Sequence, residues 1–151
     1  MLSLNVTIDG LQKVMQQLDA TGEVLKDFKP EMELIGDFLV DFFSNAVFET
    51  EGQIIGENWA PLSEQYQEWK TKNYPGRGIL ERTSKLRQGF EAIPTATYCI
   101  IRNAVPYGVF AEFGTSKMPP RVFMKLDQER GVIIRDMIIE NMNNRIKEAI
   151  S

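Results

Sequence analysis

The sequence predicts an α+β domain in which a small antiparallel β-sheet packs against a long central helix and a C-terminal helix. Three observations predict it. Leu2, Leu4, Val6 and Ile8 alternate with Ser3, Asn5, Thr7 and Asp9, the period of a strand with one buried face. Ile35, Phe38, Leu39, Phe42, Phe43, Ala46 and Val47 recur every three or four residues, the period of a helix buried along one side. A hairpin pattern rich in β-formers lies between helical segments with no repeated strand-helix-strand unit, so the sheet is antiparallel. With 151 residues, 43% of them hydrophobic, the chain fits a single domain over 1–151.

The elements follow in order. After the first strand Gly10 breaks the alternation, and Leu11, Val14, Met15 and Leu18 fall at helical spacing up to a stop at Thr21-Gly22. Pro30 suits the first turn of the central helix, with Glu31 and Glu33 at the positive end of its dipole, and the stripe carries it from about 30 to 49. Gly52 and Gly56 mark a loop. Trp59-Ala60-Pro61-Leu62 is extended, because a residue before proline is pushed out of the helical region. Ser63 caps a helix reaching about Lys72, and Asn73-Tyr74-Pro75-Gly76-Arg77-Gly78 turns the chain, with a mobile loop expected over 70–79.

A short helix near 83–90, capped by Thr83 or Ser84, leads to the hairpin. Its strands are expected at 91–94 and 97–102, with the turn near Thr95. Tyr107 to Phe113 forms an aromatic helical turn that Gly114 ends with a positive φ, and Pro119-Pro120 holds Met118 to Arg121 extended or at an edge. Phe113 and Phe123 are expected in the core. Asp127 caps a last helix bearing Ile134, Met137, Ile138, Met142, Ile146, Ala149 and Ile150.

Composition removes several function classes. The chain has no His and one Cys, so Ser-His and Cys-His nucleophile pairs and the usual zinc sites are absent, and Cys99 reads as a small buried hydrophobe. Glu81 and Glu112 are isolated acids, Ser63, Ser84 and Ser116 isolated hydroxyls, and Gly76-x-Gly78 is too short for a phosphate loop. The expectation is a protein that is not an enzyme and needs no cofactor or metal. No apolar run approaches the roughly 18–20 residues of a membrane span, and the amino terminus lacks a signal-peptide pattern, so the chain is expected to be soluble and intracellular when made.

Charge is uneven behind the net value of -4. Up to Trp69 there are three Lys or Arg against thirteen Asp or Glu, whereas 70–87 holds six against one. Such asymmetry marks a surface that meets something, or acidic helices that solvate their outer faces. The basic stretch Lys70, Lys72, Arg77, Arg82, Lys85 and Arg87, interleaved with Trp69 and Tyr74, resembles a nucleic-acid patch, but a pI near 5.0 argues against sequence-specific nucleic-acid binding. A mobile basic arm facing the acidic surface of an identical neighbour fits the charges better, with a solvated loop as the plain alternative. Trp59, with Pro61 and Leu62, either plugs a neighbour's pocket or closes its own core. Ser116, Lys117, Met118, Pro119, Pro120 and Arg121 are expected to face a neighbour.

Four segments carry a resemblance: Trp59-Ala60-Pro61-Leu62-Ser63, Ile79-Leu80-Glu81-Arg82-Thr83-Ser84-Lys85-Leu86, Tyr107 to Gly114, and Pro120-Arg121-Val122-Phe123. Their order resembles the virion morphogenesis family of tailed bacteriophages, and Glu112-Phe113-Gly114-Thr115 also looks like the tail-component proteins of long-tailed phages. Ser84 stands where that pattern commonly has Gly after the Thr, and Val122 where it usually has Pro. The resemblance implies a neck or tail-terminator subunit of a phage or prophage, part of a homo-oligomeric ring of six. It would work in the virion after assembly in the bacterial cytoplasm, contacting tail-tube and head-connector proteins. The runner-up is a protein-binding module, a prophage-encoded regulator or inhibitor that forms no ring.

Overall fold

The computed structural model describes residues 2–7 and 27–150. Strand β1 (Leu2–Thr7) is followed in the described chain by helix α1 (Lys29–Ser44), the single-turn α2 (Ala46–Glu49) and a 3-10 turn at Gln53–Ile55. Then come α3 (Glu64–Asn73), the one-turn α4 (Lys85–Gln88), β2 (Phe90–Pro94), β3 (Tyr98–Asn103), α5 (Gly108–Phe113) and α6 (Gln128–Ile150). The helix expected at Leu11 to Leu18 and its Thr21-Gly22 stop lie outside the described residues.

The sheet has order β1-β3-β2 and is antiparallel throughout, as the hairpin pattern required. Leu4 pairs with Ile101 and Val6 with Cys99, while Ala92 faces Ile101 across the other ladder. Thr95 closes the hairpin: its amide donates to the Tyr98 carbonyl at 2.8 Å, and its hydroxyl accepts from the amides of Thr97 and Tyr98. Cys99 is a buried free thiol, raised in pKa by its burial.

Helix α1 carries two buried sides. One meets the sheet: Phe43 stacks on Phe90 of β2 at 5.8 Å, and Gly36 permits the approach, since a Cβ there would sit 2.8 Å from Ala92 Cβ. The other side meets α6. Phe42 lies 4.8 Å beneath the Arg130 guanidinium, and the fully buried Glu31 accepts from Arg145 through both carboxylate oxygens at 2.8 Å and from Asn141 at 3.1 Å. The C-terminal helix is therefore fixed to the central one by an ion pair as well as by Ile134 and Ile138 in the core.

Three local expectations are corrected. The helix expected over 30–49 is interrupted at Asn45, where Arg87 donates from Nε to the Ser44 carbonyl at 2.6 Å. Ser84 precedes α4 without a side-chain cap, in the left-handed region at φ 61°, and its hydroxyl accepts instead from Arg77 Nη1 at 2.7 Å. Asp127 stands just before α6, but its Oδ2 pairs with Arg130 at 3.2 Å and its Oδ1 has no hydrogen-bond partner. Ser63 does cap α3, accepting from the Tyr66 amide at 3.3 Å.

Candidate functional site

The extended segment at Trp59 and the one at Arg121 are distant in sequence yet joined by three hydrogen bonds. Trp59 Nε1 donates to the Val122 carbonyl at 2.7 Å, while Arg121 donates from Nε to the Ala60 carbonyl at 2.9 Å and from Nη2 to that of Pro61 at 3.1 Å. Prolines explain why side chains do this work. Pro61, Pro119 and Pro120 have no amide hydrogen, so the two segments cannot form a regular ladder and are bonded by side-chain donors to backbone carbonyls.

Trp59 is buried edge-on to Phe48, with ring centroids 5.3 Å apart. Of its two sequence readings, closure of its own core is the one the geometry fits, because a buried indole cannot enter another subunit. Arg121, expected at an outer face, is only 4% exposed. Burial lowers its pKa.

Glu112 completes this region from below. Its Oε2 accepts from the amides of Phe123 and Met124 at 2.8 and 3.3 Å, so the acid anchors the extended segment to α5. Burial raises its pKa, with the two amide bonds pulling the other way. Asn103 does the same work at the end of β3, donating to the Leu86 carbonyl at 2.8 Å and accepting from the Val105 amide at 3.0 Å. Sequence reading passed over Asn103; its polarity at an inward position of a strand of alternating burial was the available signal.

Between α3 and the turn after α5 lies a cleft of about 500 Å³. Pro61 and Leu62 form one wall, and Lys117, Met118 and Pro119 form another. Lys117 is presented by a tight turn in which the Thr115 amide donates to the Met118 carbonyl at 2.8 Å. Lys70 and Arg121 also line the cleft. Lys70 was expected on a mobile arm, yet it lies in α3 at 2% exposure and donates from Nζ to the Gly78 carbonyl. Burial lowers its pKa, partly offset by Glu81 and Glu51.

The remaining candidates fall outside the cleft. Lys72 is exposed on α3, Ser116 at the turn and Pro120 beyond it, while Arg77 borders a neighbouring groove with Gly78 and Ile79. The basic stretch is thus not a free arm: Arg87 pairs with Glu81 at 2.7 Å and Glu49 at 3.3 Å, and Arg77 is held by Ser84.

The other correction concerns α5. Phe123 is in the core as expected, but Phe113 is 69% exposed, Phe110 57% and Tyr107 44%. Residues three apart share one helix face, and the opposite face, Gly108, Ala111 and Glu112, is the buried one. Glu112 takes the inward position that Phe113 was expected to hold, because the Phe123 and Met124 amides need an acceptor.

Among the described residues no group of three or more His, Cys, Asp or Glu is placed to hold a metal, and no helix is long and apolar enough to cross a membrane. The chain matches no protein-family model, no curated protein and no solved structure. What defines it is the architecture: an α+β domain with a three-stranded antiparallel sheet, a basic cleft and an exposed aromatic row.

Proposed function

We propose that the chain is a structural subunit that completes the tail of a bacteriophage or prophage, or joins that tail to the head, working as one member of a ring. The observation that carries this reading is that three of the four resembling segments are hydrogen-bonded to one another and the fourth, ending at Leu86, packs beside them. Trp59 bonds Val122, Arg121 bonds Ala60 and Pro61, Glu112 bonds Phe123 and Met124, and Leu86 is buried and bonded by Asn103. Residues of three of these segments are thus spent on one another, and Leu86 lies against Gly108 of the third.

A second support is local. Ser84, at the position where the resembling pattern has Gly, lies at φ 61°, a conformation glycine adopts freely and other residues rarely do. In this reading Glu112 is an anchor and no catalytic group or cofactor is required. The aromatic row Tyr107, Phe110 and Phe113 serves as an assembly face, since contiguous exposed apolar surface marks protein contact. Its partners are further copies of the chain and the tail-tube and head-connector proteins.

Native mass spectrometry of the full chain tests the ring, with six copies the expected stoichiometry. Phe110→Ser with Phe113→Ser should reduce assembly while leaving the far-UV circular dichroism unchanged. A lasting monomer at high concentration overturns the ring, and a one-to-one complex with a foreign protein supports the non-ring module instead. Electron microscopy of labelled protein in phage particles from its host then tests placement at the neck or tail end.

A further inference from the structure

Four cations, Lys70, Arg82, Lys117 and Arg121, line the cleft, and no carboxylate does. Lys70 and Arg121 are both more than nine-tenths buried, and neither has an ion-pair partner among the described residues. Their hydrogen bonds go to neutral backbone carbonyls: Lys70 to Gly78, Arg121 to Ala60 and Pro61. An ammonium has three donors and a guanidinium five, so both retain donors for an incoming acceptor. Glu81 and Glu51 offset only part of the burial of Lys70, no acid among the described residues is paired with Arg121, and an anion supplied from outside relieves what remains. The rest of the wall is apolar, with Leu62, Leu80, Met118 and Pro119. A ligand that satisfies this cleft carries carboxylate beside aliphatic carbon, which describes an acidic peptide surface better than a nucleic acid, as does the protein's own net charge of -4.

The same chain displays such a surface. Glu33, Asp37 and Asp41 are exposed at successive turns of α1, with no ion pair among the described residues. Leu34, 42% exposed, lies on the same side of the helix. None of these residues lines the cleft of its own chain.

We propose that the basic cleft receives the acidic face of α1 from a second copy of the chain, Glu33, Asp37 and Asp41 supplying carboxylates and Leu34 the apolar contact. The contact is heterologous, because cleft and helix face are different surfaces, so each bound copy still offers one of each. Such contacts propagate head to tail and close into a ring when the rotation closes. The inference rests on the ring reading for its second copy and adds which surfaces meet.

The test uses two charge reversals at exposed positions, Lys117→Glu at the cleft and Asp37→Lys on α1, in the full chain at low ionic strength. Each variant, folded as judged by circular dichroism, should associate about tenfold or more weakly than wild type, and added salt should weaken the wild type. Mixing the two variants should restore assembly as mixed oligomers in native mass spectrometry. Where the two variants alternate, every contact is either wild-type cleft on wild-type helix face or reversed cleft on reversed face. If wild type forms oligomers and both variants match it, the cleft assignment is overturned while the ring stands. If Lys117→Glu disrupts assembly but Asp37→Lys does not, the cleft meets another surface and the α1 assignment is overturned. A wild type that stays monomeric overturns the ring and this contact together.

Discussion

Replacing Trp59 with Phe separates a core role from an interface role at the most informative aromatic of the chain. The substitution keeps a ring against Phe48 but removes the Nε1 donor to the Val122 carbonyl at 2.7 Å. A partly buried carbonyl left without its donor costs about 1–2 kcal/mol. The shorter ring sacrifices about 1 kcal/mol more in lost burial and imperfect filling. Together about 2–3 kcal/mol is lost. At about 2–4 °C per kcal/mol for a domain of this size, the thermal midpoint should fall by roughly 4–12 °C. Circular dichroism melts and urea titrations of both proteins at one fixed chain concentration measure this, because association would itself raise the midpoint. An unchanged midpoint combined with weaker self-association would refute the core account and return Trp59 to the surface of a neighbour.

Two further substitutions probe the anchors. The Glu112 pKa is raised above its ordinary 4.5, so the folded state holds the proton more tightly than the unfolded chain. That contribution to stability is full below the unfolded value and lost as pH rises through the folded one. Glu112→Gln cannot ionise, so its stability relative to wild type should climb between acid and neutral pH in urea titrations; parallel profiles would contradict a buried acid. Ser84→Gly relieves left-handed strain of about 1–2 kcal/mol against about 0.5–1 kcal/mol of added chain entropy. A net gain of about 0.5–1 kcal/mol is expected, and a loss would mean that the Arg77 bond to Ser84 outweighs the strain.

Fold class, strand alternation, the Ser63 cap and the hairpin were legible in the sequence because they rest on local periodicity and local bonds. Residues whose roles depend on a distant partner were not. Lys70 and Arg121 read as surface charges until the fold brings Gly78, Ala60 and Pro61 to them. Glu112 and Phe113 exchanged expected places for the same reason: helical spacing cannot say which neighbour a six-residue helix will serve, and two amides from another segment decided it. Pro61, Leu62, Lys117, Met118 and Pro119 stood out in the sequence as interaction candidates, but their convergence on one cleft was not legible there.

The antiparallel sheet also dictates an order of events. Strand β1 pairs with β3, which is synthesised only after helices α1 to α4, whereas β2 and β3 are joined by a tight turn. Hairpin closure is local and fast, but β1 must span most of the chain to dock, a search that slows folding. Until it arrives, β3 presents a bare edge whose unpaired amides and carbonyls invite strands from other chains. The interval before β1 docks is therefore when this protein is most vulnerable to aggregation, and a tag or truncation at its amino terminus would lengthen that interval.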